Sequence, residues 1–210
     1  MKCIQSMARS EMFNLAAFSF FAIILLVARI YFGENLKFIF LSWTLILAWI
    51  PYLVVWGLNE TKRRWIAIIK IAIWLLFLPN SPYLITDMLH LHPREEAPYW
   101  FDTFLAFVFA SIGVLLFYAS SRIVWNYINS FSKRWALFLM PVFFMLCGYG
   151  IYMGRWLRFN SWDALHHPFQ ISRVVLFHTF GEGHTFLIAE VTLLFGAMLF
   201  FTYRVIQSFR

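Results

Sequence analysis

Six apolar segments divide this chain of 210 residues and limit what it can fold into. A helix needs roughly 20 apolar residues to cross about 30 Å of hydrocarbon. Six segments meet that length, at residues 12–32, 36–58, 65–91, 100–121, 135–154 and 184–203. Inside hydrocarbon a backbone must satisfy its own polar groups, as an α-helix does. The sequence therefore predicts an all-α, polytopic bundle of six transmembrane helices in one membrane domain covering residues 1–210.

The composition agrees with a surface that faces lipid. Hydrophobic residues make up 62% of the chain and charged residues 13%, whereas a soluble domain is about one quarter charged. Ten Trp and nine Tyr suit a bilayer interface. The formal net charge of +7 comes from residues between the apolar segments, as in membrane proteins with basic loops. We therefore expect the lipid bilayer as partner and exclude nucleic acid, while protein partners stay unknown.

The distribution of Lys and Arg predicts the orientation. With the N-terminus inside, ten of the 17 basic residues lie on the cytoplasmic side, six lie outside, and Lys70 lies within a span. The clusters 62–64 and 133–134 both fall inside, so both termini are predicted to be cytoplasmic. All six histidines then fall on the outer side.

Two prolines interrupt the third span. Pro79 and Pro82 flank Asn80 and Ser81, and proline ends a helix because it lacks the backbone N–H and clashes with the preceding turn. We predict a break at Pro79–Pro82, followed by a short helix through about Leu91 with Ser81 as its N-cap.

The break is predicted to lie in the outer third of the hydrocarbon. Non-helical backbone at that depth must face protein or a water-filled cavity. Glu190 of the last span reaches a similar depth, so Asn80, Ser81 and Glu190 are candidate ligand-binding residues. In the alternative interpretation, Glu190 pairs with Arg155 or Arg158 to lock helices, and the break is a static bend.

Two Asp-x-x-His motifs lie on the predicted outer side. Asp87 and His90 follow the break, and Asp163 and His166 follow the fifth span. Side chains three residues apart share a helix face, so each motif is a candidate catalytic acid and base, or part of a divalent metal site. The favoured alternative places both aspartates in the first turns of short interfacial helices, with no metal bound.

Arg155, Arg158 and Asn160 follow the fifth span. Two guanidinium groups at an interface predict a site for an anionic lipid or a lipid phosphate. Arg beside Trp156 is also an ordinary interfacial anchor.

Two stretches carry a family resemblance, namely LPNSPYLITDMLHL at 78–91 and GYGIYMGRWLRFNSWD at 148–163. They resemble the bacterial family of multi-pass membrane proteins known as domain of unknown function 1361. The resemblance implies a multi-pass protein of the bacterial cytoplasmic (inner) membrane and supplies no activity. It also implies that six residues match the family's motif positions: Asn80, Pro82, Asp87, Arg155, Asn160 and Asp163.

Three functions follow from these residues. The first is an outward-facing site that binds or processes a lipid headgroup or a metal. The second is a small transporter that uses the broken third helix and Glu190. The third is a membrane assembly partner without chemistry of its own. The sequence contains no P-loop, G-x-S-x-G elbow or H-E-x-x-H motif.

Overall fold

The protein is predominantly helical in the part of the chain that the computed structural model describes. That part comprises residues 2–33, 36, 38–90, 99–166, 169, 173–174, 177 and 185–208. Six helices are long and apolar enough to cross a membrane, and these residues include no strand. The predicted fold class is confirmed, and the six helices indicate a multi-pass membrane protein.

The six spans are formed by α1 (Lys2–Gly33), α2 (Phe40–Val55), α3 (Arg64–Phe77) continued by α4 (Asn80–Thr86), α5 (Tyr99–Phe131), α6 (Lys133–Arg155) and α8 (Thr185–Ser208). Between them lie α7 (Asp163–His166) and two 3-10 turns, Leu58–Glu60 and Asp87–His90. The predicted span ends at residues 91 and 184 fall outside the described residues.

The fourth span is longer than predicted. We expected it to end at Ser121, but α5 continues to Phe131. Arg122 directly follows the predicted end of the span. A long basic side chain at the end of a span can nevertheless extend to the interface while its backbone stays helical.

The helices form two compact units. The first contains Met1–Leu53 and Asn80–Ser120, and the second contains Val54–Pro79 and Ser121–Arg210. The division between Pro79 and Asn80 coincides with the break in the third span.

In the first unit, α5 packs against α4 through a glycine. A Cβ built on Gly113 would overlap the carbonyl oxygen of Ser81 and would lie 2.8 Å from Cδ1 of Leu84. Ser81, Leu84 and Ile112 are fully buried. Between membrane helices close packing replaces the hydrophobic effect as the attraction, so a residue without a side chain permits this contact.

The predicted break is confirmed, because α3 ends at Phe77 and α4 begins at Asn80. The predicted N-cap role of Ser81 is wrong. Ser81 lies inside α4, and its hydroxyl donates a 2.9 Å hydrogen bond to the carbonyl of Ala48 in α2. That carbonyl adjoins Leu47, whose intrahelical donor is missing because Pro51 has no N–H. Ser81 therefore adds a polar contact at a weakened turn of α2.

In the second unit, glycines bring α6 and α8 together. A Cβ on Gly148 would lie 2.6 Å from the carbonyl oxygen of Thr192, and one on Gly196 would lie 3.0 Å from Cα of Met145. On another face of α6, a Cβ on Gly150 would overlap the ring of Pro79. The proline at the end of α3 is thus closely packed within its own unit.

Lys70 lies within the third span, where a free ammonium group would be costly. Its Nζ donates a 3.1 Å hydrogen bond to the carbonyl of Trp56, just beyond the end of α2. The last carbonyls of a helix lack intrahelical donors, and the helix dipole favours a cation there. Lys70 therefore supports the end of a neighbouring helix.

We expect Gly113→Ala to destabilise the protein by about 1–3 kcal/mol, because the added methyl group forces apart two backbones. Unfolding in detergent, followed by circular dichroism, measures the change. Ser111→Ala is the control, since the Ser111 hydroxyl bonds only to the Phe107 carbonyl of its own helix in the described contacts. An unchanged midpoint for Gly113→Ala would contradict the close approach of α4 and α5.

Candidate functional site

A buried ion pair lies in the first unit. The guanidinium of Arg29 in α1 contacts the carboxylate of Asp102 in α5 through two bonds, from Nε to Oδ1 and from Nη2 to Oδ2 at 3.2 Å. The two side chains are 2% and 3% exposed. Asp102 lies in the first turn of α5, where the helix dipole favours a negative charge.

The surroundings of Arg29 are closely packed. Its Cζ lies 5.2 Å from the centre of the Phe38 ring, and its guanidinium occupies the space that a Cβ on Gly33 would need. Nη1 is buried and makes no hydrogen bond in the described structure. This enclosure favours a structural role, because a bidentate pair that is out of water offers little access to a ligand.

We did not predict this pair, since both residues were counted as charges of the outer side. A signal was present in the sequence. Arg29 lies inside the first predicted span, and Asp102 lies inside the fourth. A charge within a span usually faces the bundle interior and finds an opposite charge, so the two residues were candidates for each other.

We expect Asp102→Leu to cost about 3–5 kcal/mol, because the change leaves the Arg29 cation buried without its partner. The double substitution Arg29→Met/Asp102→Leu should recover much of that loss. Unfolding of the two single variants and the double variant completes the cycle. Losses that simply add in the double variant would show that the pair is not coupled.

The first Asp-x-x-His motif spans the 3-10 turn that follows α4. Asp87 is 4% exposed, so its carboxylate belongs to the interior of the first unit. The backbone of His90 is part of the turn, while its side chain lies outside the described residues. The predicted role of this motif in acid–base or metal chemistry stays a prediction.

The second Asp-x-x-His motif belongs to the second unit, where both side chains have local partners. Asp163 begins α7 and accepts hydrogen bonds from the backbone N of Asn160 at 2.7 Å and from its Nδ2 at 3.4 Å. Nδ1 of His166 lies 2.9 Å from the carbonyl of Trp162. The first contact resembles a capping box, in which an acid reaches back to the start of its helix. These bonds support the interpretation as a short helix.

Metal binding has no assembled ligand set within the described ranges. There, no group of three or more His, Cys, Asp or Glu side chains is placed to hold an ion.

The end of α6 turns the chain sharply at an arginine. Arg158 has a φ of 57°, and it is the non-glycine residue with positive φ in the described backbone. The amide of Phe159 donates to the carbonyl of Met153 at 3.2 Å, so the chain folds back over the last turn of α6. A side chain in this left-handed conformation costs roughly 1 kcal/mol, which glycine or asparagine would largely avoid.

Aromatic rings hold this turn in place. The ring of Trp156 stacks on that of Tyr152, with centroids 5.6 Å apart and an interplanar angle of 18°. Tyr152 is buried, while Trp156 is 42% exposed. Arg155 is half-buried and Arg158 is exposed. The turn therefore presents Arg158 to the surroundings beside a half-exposed indole.

The remaining candidates occupy different surroundings. Ser81 is enclosed between α2 and α5, and Asn80 is half-buried at the start of α4. Glu190 is exposed on α8. The alternative pairing of Glu190 with Arg155 or Arg158 is not among the ion pairs of the described residues.

Comparison with known proteins places most of the chain in one family. Residues 43–202 match the family described as protein of unknown function (DUF1361). This range contains both stretches on which the resemblance was based. Neither the curated proteins nor the solved structures contain a match to the chain.

Proposed function

The chain belongs to the DUF1361 family, whose description assigns no activity, and we propose that it binds the phosphate of an anionic lipid headgroup at its predicted outer face. The observation that carries this proposal is the left-handed backbone of Arg158. A residue held in an unfavourable conformation at an exposed turn calls for a reason beyond folding.

The chemistry of the turn supports phosphate as the ligand class. Arg158 is exposed, and Arg155 lies one helical turn earlier. Guanidinium groups bind phosphate oxygens through paired, charge-assisted hydrogen bonds. Trp156 is a residue type that favours the level of lipid headgroups. An arginine at this depth therefore meets lipid phosphate whenever the protein lies in a bilayer.

Two observations favour binding over transport through the broken third span. Pro79 is packed against Gly150, and Ser81 is bonded to Ala48, so protein covers the residues at the break. Glu190, which the transporter interpretation uses, is exposed on α8 and not enclosed within the second unit. The interpretation as a static, covered bend accounts for both contacts.

A role for Asp163 and His166 in processing the headgroup is a weaker proposal, because Asp163 bonds to Asn160 and His166 to Trp162. The binding proposal needs neither side chain. It places the protein at the surface of a membrane, and the bacterial inner membrane with cytoplasmic termini is the location that the sequence favours.

We expect Arg158→Gly to weaken lipid binding while leaving the protein as stable as the wild type, or more stable by up to about 1 kcal/mol. Glycine adopts the left-handed turn without a Cβ penalty. This variant should therefore lose affinity for lipid without losing stability. Loss of a charged hydrogen bond of about 1.5–3 kcal/mol corresponds to roughly 10- to 100-fold in affinity.

Native mass spectrometry of detergent-purified protein titrated with phosphatidylglycerol measures that affinity. Arg134→Gln is the matched control, because Arg134 is also exposed and also lies within two residues of a tryptophan, at the opposite end of α6. An equal loss in both variants would indicate general attraction between a basic protein and an anionic lipid, and would overturn the proposed site.

A further inference from the structure

A groove runs along the second unit near the helix ends that are predicted to be cytoplasmic. Its volume is about 400 Å³, and its lining comes from α5, α6 and α8. This size falls within the range of about 300–1,000 Å³ for small-molecule sites. None of its lining residues belongs to the turn after α6, so the groove is separate from the proposed headgroup site.

The walls of the groove are apolar and face outward. Leu137 and Phe201 line it and are 45% and 65% exposed. Tyr203 is buried beneath them, with its ring centroid 6.4 Å from that of Trp125 and 5.3 Å from that of Phe144. On a membrane-spanning helix such a surface is in contact with acyl chains, which identifies lipid as the class of occupant.

One cation lies among these apolar side chains. Arg204 contributes to the lining, is exposed, and lies one turn before the end of α8. No carboxylate of the described residues forms an ion pair with it. In a phospholipid, the negative phosphate lies nearer the membrane surface than the acyl chain. The guanidinium and the apolar groove follow the same order along the membrane normal, and the positive guanidinium complements the negative phosphate.

One lining residue also has a backbone carbonyl without its usual donor. Pro141 lies inside α6 and has no N–H for the carbonyl of Leu137, four residues earlier. Both residues line the groove. Leu137 lies one turn from the start of α6, as Arg204 lies one turn from the end of α8. The lining residues thus include a cation and a residue whose carbonyl lacks its intrahelical donor, each near a helix end.

We propose that this groove binds a phospholipid with an anionic phosphodiester and a hydroxyl-bearing headgroup. The phosphate accepts hydrogen bonds from Arg204, and a headgroup hydroxyl donates to the Leu137 carbonyl. One acyl chain lies along Pro141 and Phe201. Phosphatidylglycerol has this chemistry, whereas phosphatidylcholine lacks the hydroxyl donor and carries a compensating positive charge.

Quenching of Trp125 tests the proposal at the groove itself. Phosphatidylglycerol with brominated acyl chains is added to detergent-purified protein, and the fluorescence of the wild type is compared with that of Trp125→Phe. The difference isolates Trp125 from the other nine tryptophans. We expect saturable quenching of Trp125 by phosphatidylglycerol, with at least about tenfold weaker quenching by brominated phosphatidylcholine.

Two variants separate the two polar contacts. Arg204→Gln should weaken the phosphatidylglycerol response about tenfold or more, through loss of the phosphate contact. Pro141→Ala restores the N–H that bonds to the Leu137 carbonyl. The difference in affinity between phosphatidylglycerol and phosphatidylcholine should therefore become smaller. Alanine is also a better helix former than proline, so this variant keeps α6 intact.

The control variant is Arg134→Gln, because Arg134 is exposed at the start of α6 but does not line the groove, so its loss should leave the Trp125 response unchanged. The proposal is overturned if both lipids quench Trp125 equally, or if Arg204→Gln responds like the wild type. If Arg158→Gly alone abolishes the response, the lipid detected belongs to the headgroup site and the groove is not a second site.

Discussion

The need to satisfy backbone hydrogen bonds inside hydrocarbon governs this structure. It restricts the spans to helices, and it makes each interruption of a helix a position where another group must assist. Ser81 donates to a carbonyl next to the turn that Pro51 weakens, and Lys70 donates to Trp56 beyond the end of α2. Ser81 and Lys70 therefore both serve the backbone of α2 or of the residue that follows it.

Close contact between backbones follows from the same environment. Lipid is as apolar as the helix surfaces, so association depends on packing, and packing is closest where side chains are smallest. Gly113 meets Ser81 in the first unit, and Gly148 meets Thr192 in the second. Pro79, directly before α4, packs against Gly150 in the same way. We therefore place the proposed function at the helix ends and not at the break.

Burial separates Arg29 from Arg158 and Arg204. Arg29 is enclosed and neutralised by Asp102. Loss of Arg29 would leave the Asp102 carboxylate buried without a partner, which would destabilise the protein. Arg158 and Arg204 are exposed at opposite ends of the second unit's helices. In a bilayer both ends lie near headgroups, so exposed guanidinium groups there meet phosphate. Lipid is thus the partner that we propose for Arg158 and Arg204, whereas Arg29 joins α1 to α5.

Local sequence alone determined the six spans, the helical class and the break before Asn80. Bilayer thickness sets the length of an apolar span, and proline ends a helix wherever it occurs. The segment after α6 was also found from its residues, as a helix end rich in Arg and Trp. Tertiary structure decided the rest. The Arg29–Asp102 pair joins residues 73 positions apart, and the bond from Ser81 to Ala48 replaces a predicted cap. The left-handed turn at Arg158 and the groove beside Arg204 likewise depend on how helices meet. Local sequence specifies which segments cross the membrane, whereas only packing specifies which side chains face one another.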